Sequence, residues 1–247
     1  MLKVRFNLRK VATIVACLIA IIFTSCGSDG DGNEMRLTVQ GNGKIRIIID
    51  GYGTASIDWG DGSTKKIYEL TGNKTTCEWQ YSQTSSRTIK ITGKNITMLA
   101  PGSEIEVQLM NLDVSRNAAL KTLVGWGDLT SLDVSKNNAL TQLFVNGTQL
   151  TNLDVSKNNV LKILDVSDNQ LTDLDVSELI ELSLLKCKNN QLTTDALNAL
   201  FETLHNNNVA HPSGFGTAKF IVIHNNPGTE TCDRNIVEKK GWAFTIN

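Results

Sequence analysis

A 21-residue repeat constrains the fold of this chain more than any other feature. The tetrapeptide Leu-Asp-Val-Ser occurs four times, starting at Leu112, Leu132, Leu153 and Leu174. A fixed period of this length is typical of a solenoid, in which each repeat forms one coil. One coil buries about five aliphatic side chains, each contributing roughly 1.5–3 kcal/mol, whereas ordering its residues costs about 1–2 kcal/mol apiece. A single coil therefore cannot fold alone, and stacking supplies the missing apolar contacts.

A second pattern, L-x-x-L-x-L-x-x-N-x-L, lies between these copies and is clearest at residues 161–171. It resembles the leucine-rich repeats of the short, internalin-like class. The resemblance implies a short strand with Leu164 and Val166 inward, and Asn169 at the bend, where its amide satisfies unpaired backbone groups. Thr148 replaces the asparagine in one repeat, which predicts a looser coil there. We expect the Leu-Asp-Val-Ser copies to line the opposite, convex wall, with Asp and Ser outward as solubilising positions.

The N-terminus has the pattern of a secretory signal peptide over residues 1–25. A basic start is followed by an apolar run, Val11 to Phe23, that is too short for a membrane span. The residues before Cys26 resemble a bacterial lipobox, which implies lipidation of Cys26; an uncleaved anchor is the alternative. Residues 26–34 form an acidic tether similar to the surface-export signal of lipoproteins from some Gram-negative gut anaerobes, although a plain linker has the same composition. We therefore predict a lipid-anchored protein of the outer membrane, displayed at the cell surface.

Charge argues against a nucleic-acid partner. The formal net charge is −1, and removing the four positive charges of residues 1–25 brings it to −5. A mildly acidic protein without a basic cluster is a poor partner for nucleic acids or anionic lipid surfaces. The predicted membrane contact is therefore made only through the lipid on Cys26.

Residues 35–97 predict a small antiparallel β-sandwich, because short alternating runs are separated by Gly, Asn and Ser. The run from Ile57 to Ser63, with Trp79 and Tyr81 later, resembles the PKD-type immunoglobulin-like domain, although the usual His of the aromatic pair is absent. The resemblance implies a spacer or adhesion module. Asp58 and Asp61 suggest a calcium loop, but we favour a tight turn because no further carboxylate follows at ligand spacing.

Residues 98–247 predict the solenoid, with a C-terminal cap from about residue 193. The overall fold class is therefore mixed but mostly β. Residues 105–109 read as a strand, an abbreviated first coil, after a connection over 98–103. In the cap we expect a helix from Thr194 to Leu204, a last coil strand at 220–223, a helix over about 230–240 and a closing strand over 242–246.

Catalytic chemistry finds little support, and we predict no enzyme, no cofactor and no metal site. The histidines lack metal-ligand spacing, and His205 and His211 are expected to be solvated. Nothing predicts a cleft with two facing carboxylates. Cys187 is expected to be a buried small hydrophobe, with pairing to Cys232 as the alternative.

Binding is the better prediction. Outward residues of the concave strands form an apolar stripe with polar borders, which exceeds what a solvated face requires. The residues predicted to contact a partner are Val124, Trp126, Phe144, Asn146, Ile163, Asp165, Leu184, Lys186 and Val222. The expected function is non-catalytic adhesion or recognition of a protein or glycan by a monomer. The alternatives are a passive envelope spacer or assembly component and, third, a polysaccharide-processing enzyme; coverage of the stripe by neighbouring side chains would also remove the site.

Overall fold

The computed structural model describes residues 33–102, 106–212, 214 and 216–245. Strands hold 39% and helices 8% of them, which confirms the mostly-β class. The strands belong to one continuous 11-stranded sheet. The core runs unbroken through this sheet, from Met35 to Trp242.

The predicted signal peptide, Cys26 and nearly all of the predicted tether lie outside the described residues. In the part of the chain that is described, no helix combines the length and apolarity needed to cross a bilayer.

The N-terminal part consists of antiparallel strands built around one long, bent strand, β1 (Glu34–Asp58). It pairs with β2 (Lys66–Thr71) and β3 (Thr75–Thr92). The bending is visible in the register, because Lys90 of β3 lies opposite both Arg36 and Asp58, near the two ends of β1. Side chains along β1 alternate between buried and exposed wherever it is regular, so one face of each segment contributes to a shared apolar interior.

The junction with the repeats differs from the prediction. Residues 98–101, expected as a connection, belong to strand β4 (Asn95–Pro101), which pairs antiparallel with β1 and parallel with the first coil strand. Residues 105–109 were expected to form the strand of an abbreviated first coil, but Gln108 and Leu109 instead begin β5 (Gln108–Asp113), which pairs antiparallel with β1. The reason is that β4 already occupies the edge on which the parallel strands stack, so β5 has to pair elsewhere.

The repeats form a ladder of short parallel strands, one per coil. These are β6 (Thr122–Val124), β7 (Gln142–Phe144), β8 (Ile163–Asp165), β9 (Leu184–Lys186) and β10 (Lys219–Val222). Their register places five fully buried aliphatic residues over one another: Leu123, Leu143, Leu164, Leu185 and Ile221. Successive coils therefore share one apolar interior.

The C-terminal cap follows the prediction closely. Helix α1 (Thr194–Thr203) begins after Thr193, whose side chain accepts a hydrogen bond from the Ala196 N–H. Helix α2 (Arg234–Lys239) is shorter than predicted, because Asp233 caps it by accepting from the Asn235 N–H. Strand β11 (Trp242–Phe244) then pairs parallel with β10 and closes the sheet.

A buried lysine forms hydrogen bonds with backbone carbonyls from separate segments of the cap. Lys219 is 4% exposed, and its ammonium donates to the carbonyl oxygens of Asn207 at 3.0 Å, Lys240 at 2.9 Å and His205 at 3.4 Å. The Trp242 indole N–H donates to the same His205 carbonyl at 2.8 Å. Burial lowers the pKa of the Lys219 ammonium, and these carbonyl contacts offset part of its desolvation.

Asparagine side chains link neighbouring coils. The sequence predicted that Asn169 bonds to unpaired backbone groups at its bend, and the structure shows that it also bonds to backbone groups of the preceding coil. Its amide nitrogen donates to the Val145 carbonyl at 2.7 Å, and its Oδ1 accepts from the Leu150 N–H at 2.9 Å. Asn190 and Asn226 bond in the same way to the coils before them. The looser coil expected at Thr148 is not found, because that hydroxyl is buried within 3.0 Å of the Val145 carbonyl and 2.7 Å of Asn169 Oδ1.

A second asparagine ladder, on the convex wall, was missed from the sequence. Asn137 donates to the carbonyls of Val114 and Asn117 in the preceding coil, and Asn158 repeats the contact one coil later. The signal was present, because asparagine recurs at 117, 137 and 158, five residues after the Leu of the first three Leu-Asp-Val-Ser copies.

Candidate functional site

The outward face of β6 to β10 is the candidate site, because it carries most of the side chains predicted to meet a partner. The Cα register sets these residues in two columns across the strands. One column contains Thr122, Gln142, Ile163, Leu184 and Phe220; the other contains Val124, Phe144, Asp165, Lys186 and Val222. We call these two columns the outward face.

Two apolar side chains at the N-terminal end of the outward face reach solvent. Val124 and Phe144 are half-buried and lie directly opposite each other on β6 and β7. Asn146, two residues beyond Phe144, is exposed at the turn that follows β7. These three residues stand where the sequence placed them, and an aromatic beside an aliphatic side chain offers an apolar contact area.

Two of the predicted contact residues are buried, and their assignment to the binding site was wrong. Ile163 is 7% exposed and Val222 is 0% exposed. Ile163 lies between Gln142 and Leu184 on the two adjacent strands, and Val222 lies on β10, which is paired on both sides. Neighbouring residues therefore enclose both side chains, although the alternation of the strands turns them outward.

Trp126 is only partly available. It was predicted to be an outward residue, but its ring packs against the hydrophobic core. Its indole nitrogen is buried, and the chain turns at Gly127, which has φ +73°. Trp126 is thus largely a packing side chain rather than one that projects from the outward face.

The other end of the outward face carries both charged and apolar side chains, among them the partly exposed Phe220 of β10. Leu184 and Lys186 of β9 are half-exposed, and so is Asp165 of β8. Asp165 Oδ1 accepts a hydrogen bond from the Ser167 N–H at 3.1 Å, so the carboxylate is held by its own turn. Among the described residues, no carboxylate oxygen lies within 4.0 Å of the Lys186 ammonium.

The convex wall carries an acidic groove that the sequence did not predict. A cavity of about 550 Å³ lies between α1 and the turns of two coils, bordered by Asp154, Asp173, Asp175 and Glu178. Hydrogen bonds from the backbone and side chain of Ser156 hold the pKa of Asp154 below its ordinary value. Asp154 is therefore ionised at neutral pH, which does not suit a proton donor.

The aspartates of Leu-Asp-Val-Ser have a local structural role besides solubility. In all four copies, Oδ1 accepts a hydrogen bond from the N–H of the serine two residues later, at 2.8–2.9 Å. This Asx turn fixes the bend of the backbone on the convex wall of each coil. Their repetition is thus explained by backbone geometry as well as by exposure.

The Asp58–Asp61 loop has the contacts of a tight turn. Asp58 Oδ1 accepts from the Gly60 N–H, and Asp61 accepts from the Ser63 N–H and, at 2.7 Å, from the Trp79 indole. Desolvation raises the pKa of Asp61, but the hydrogen bonds from Ser63 and Trp79 together outweigh it, so that this pKa lies below its ordinary value. Within the described ranges, no group of three or more potential ligands is placed to hold a metal ion.

The prediction of solvated histidines was wrong. His205 is partly buried, and Nδ1 accepts from the Asn207 N–H, so Nε2 carries the proton that bonds the Leu182 carbonyl at 2.8 Å. His211 is buried with its ring edge-on to Phe220. Both side chains belong to the packing of the cap.

All three described cysteines are free thiols. Cys187 is fully buried, as predicted, and it forms no bridge to Cys232. Burial raises the pKa of Cys77 and of Cys187 to about 12, which makes both thiols poor nucleophiles at neutral pH.

Comparison with solved structures gives a partial likeness to the functional domain of InlJ from Listeria monocytogenes, described as including a cysteine ladder. The two chains are 27% identical where they align, and the TM-score is 0.38. The match covers 51% of this chain and 30% of that chain. Neither a protein-family model nor a curated protein matches this sequence.

Proposed function

We propose that this protein is a non-catalytic recognition protein of the cell envelope, and that it binds a protein or glycan partner through the outward face. The observation that carries this proposal is the half-exposed pair Val124 and Phe144, side by side on adjacent strands and bordered by Asn146. Aromatic side chains are enriched in interfaces, where they lie within a polar rim.

We assign the coils to the leucine-rich-repeat class and the N-terminal part to the immunoglobulin-like class with a PKD-type turn. The first assignment is supported by parallel strands at 20- or 21-residue steps and by the asparagine bonds between coils. The second is supported by the turn at Gly60 and Gly62, with Trp59 stacked on Trp79 at 5.7 Å and the Tyr81 hydroxyl donating to the Trp59 carbonyl.

A single charge on the outward face tests the binding proposal. Phe144→Asp places a carboxylate in the apolar patch, and we expect it to lower retention of the partner by at least tenfold. The matched control is Ile180→Asp, because Ile180 is 51% exposed and lies in the loop before β9. Immobilised wild-type and variant proteins are incubated separately with envelope extract, host glycoproteins and purified polysaccharides, after circular dichroism has shown that each variant folds.

Three outcomes separate the candidate functions. Loss of retention in Phe144→Asp but not in Ile180→Asp supports recognition through the outward face. Equal retention by all three proteins contradicts it. Co-purification with an envelope protein that neither substitution weakens favours the passive spacer or assembly component.

Anchoring through Cys26 is a separate part of the proposal, supported by the basic and apolar residues that precede it. Growth with an alkyne-labelled fatty acid should label the wild-type protein and not Cys26→Ser. Protease digestion of intact cells should remove the protein if it is displayed on the outer surface. Labelling of the serine variant would contradict lipidation at this residue.

A further inference from the structure

We infer that two copies of this chain pair through the free edge of β2, in one antiparallel register that Lys65 and Glu69 select. The inference does not depend on the proposed function, and it replaces the monomer expected from the sequence with a weak dimer. Its starting point is the strand order of the sheet, which ends at β2. Strand β2 pairs with β1 on one side, and among the described residues no strand pairs with its other side.

The hydrogen bonds to β1 determine which residues of β2 have free backbone groups. The Gly72 N–H donates to the Gly51 carbonyl at 2.7 Å, in the register that continues through β2. Bonded pairs alternate along an antiparallel ladder, so every second residue of β2 bonds to β1. The residues between them direct their N–H and C=O groups to the free edge: Lys65, Ile67, Glu69 and Thr71.

The side chains of this edge have not found partners within the chain. Ile67 is 63% exposed, which is unusual for a large aliphatic residue. Lys65 and Glu69 are exposed too. In the part of the chain that the structure describes, neither has an oppositely charged group within 4.0 Å. Free backbone groups beside an exposed apolar side chain form a template for another strand.

One register satisfies the backbone and the side chains together. In a pair of β2 strands related by two-fold symmetry, the residues with free backbone groups must face one another. Placing Ile67 opposite Ile67 of the second copy meets this condition. It also sets Lys65 of each copy opposite Glu69 of the other. The result is one apolar and two oppositely charged cross-strand pairs, all of which favour pairing.

The neighbouring registers, which differ by a shift of two residues, lack this complementarity. One shift sets Lys66 opposite Lys66 of the second copy, which is unfavourable. The other sets Ile67 opposite Glu69 and Lys65 opposite Thr71, so no charges are paired. At the far end of the sheet, β11 has only three residues, none of them charged. Complementary charge therefore favours pairing of β2 with β2 over pairing of β2 with β11.

The small size of this interface implies a weak dimer. One pair of six-residue strands buries less than the roughly 1,200 Å² of total surface that is typical of stable complexes. We therefore expect a dissociation constant of about 10–500 µM. In the strand order, β1 and β4 lie between β2 and the first strand of the outward face. Pairing through β2 thus uses no strand of that face.

Sedimentation equilibrium tests the pairing. For the full chain in density-matched detergent, the average mass should rise from that of one chain toward that of two as the concentration approaches about 1 mM. Lys65→Glu and Glu69→Lys each turn both attractive charge pairs into repulsive ones, so each variant should pair about tenfold more weakly or worse. Lys157→Glu changes an exposed lysine outside β2 and should pair like the wild type.

Mixing the two weakened variants tests the register. In an equimolar mixture of Lys65→Glu and Glu69→Lys, each charge on one β2 faces an opposite charge on the other, so pairing should return. The double variant Lys65→Glu/Glu69→Lys should pair with itself for the same reason. Circular dichroism checks that each variant folds.

Hydrogen exchange, followed by NMR as the concentration is raised, reports on the edge itself. The N–H groups of Ile67 and Glu69 should exchange more slowly at high concentration. The N–H of Tyr68, which already bonds to β1, should not change. A mass of one chain at about 1 mM, or of more than two, would overturn the inference. So would pairing that neither single variant weakens, or a mixture of the variants that does not pair.

Discussion

Replacing the buried amide of Asn169 gives the sharpest test of how the coils are held together. Asn169 forms hydrogen bonds with five groups. Its nitrogen donates to three carbonyls, and each of these also accepts from a second donor, which stays in place when the amide is removed. The Leu150 N–H, by contrast, is left without an acceptor in a buried position. One orphaned backbone N–H costs about 1–3 kcal/mol, and the lost side-chain bonds add about 1 kcal/mol. We therefore expect Asn169→Ala to lower the free energy of unfolding by about 2–4 kcal/mol.

Asn158, on the convex wall, provides a comparison, because its replacement is expected to lower the free energy of unfolding less than Asn169→Ala does. Asn158 is as deeply buried as Asn169, yet the Val134 and Asn137 carbonyls that it bonds also accept backbone N–H groups. Asn158→Ala orphans no donor, so its expected cost is only about 1–2 kcal/mol. Its exposed neighbour Asn159 is the surface control, and Asn159→Ala should change stability by less than about 0.5 kcal/mol.

Two measurements read out this prediction. Urea denaturation followed by circular dichroism gives the free energies of unfolding, and hydrogen exchange should show faster exchange of the Leu150 amide in Asn169→Ala alone. Equal destabilisation by Asn169→Ala and Asn158→Ala, or an unchanged exchange rate at Leu150, would refute the reasoning.

Three further predictions concern pH, thiol reactivity and glycine. Burial, aided by the charge of nearby Lys219, lowers the pKa of His205. Below about pH 6.5 the unfolded chain therefore binds a proton that the folded chain does not. The free energy of unfolding, measured by urea denaturation at each pH, should fall from pH 7 to 5, and less steeply in His205→Gln. Alkylation followed by mass spectrometry should modify Cys232 before Cys187, because Cys232 is only partly buried, and modification of Cys187 in the folded protein would contradict its burial. Both Gly127→Ala and Gly147→Ala strain a left-handed backbone by about 1–2 kcal/mol. A Cβ at Gly127 would also lie 2.6 Å from the backbone of β5, whereas one at Gly147 meets nothing within 4 Å. Thermal denaturation should therefore show a larger loss of stability for Gly127→Ala.

The stacking of the coils could be predicted from the sequence because it depends on a local pattern repeated at a fixed step. Leu143, Leu164 and Leu185 occupy equivalent positions in successive repeats, and the register of the strands confirms that they lie over one another. Helix α1 of the cap was also predictable, because its signal is local. The N-cap residue Thr193 and the buried apolar residues of the helix lie within a few residues of one another in the sequence.

The availability of the site residues could not be predicted in the same way. Ile163 and Val124 both lie on the outward side of a strand, but their exposure depends on the residues of adjacent coils and strands, which lie about 20 residues away in the sequence. The junction was missed for a related reason. Residues 98–101 carry no repeat signal of their own. They extend the ladder of parallel strands because β4 pairs with β1 along one edge and with β6 along the other.

The shared interior of the coils is the claim on which the outward face depends. Methyl NOE spectroscopy on protein with isotopically labelled leucine methyl groups tests it most directly. We predict strong cross-peaks between Leu143 and Leu164 and between Leu164 and Leu185, which the register places on adjacent strands, and weak or absent cross-peaks between Leu143 and Leu185. Missing cross-peaks between Leu143 and Leu164 in the folded protein would contradict the stacked coils and the binding face built on them.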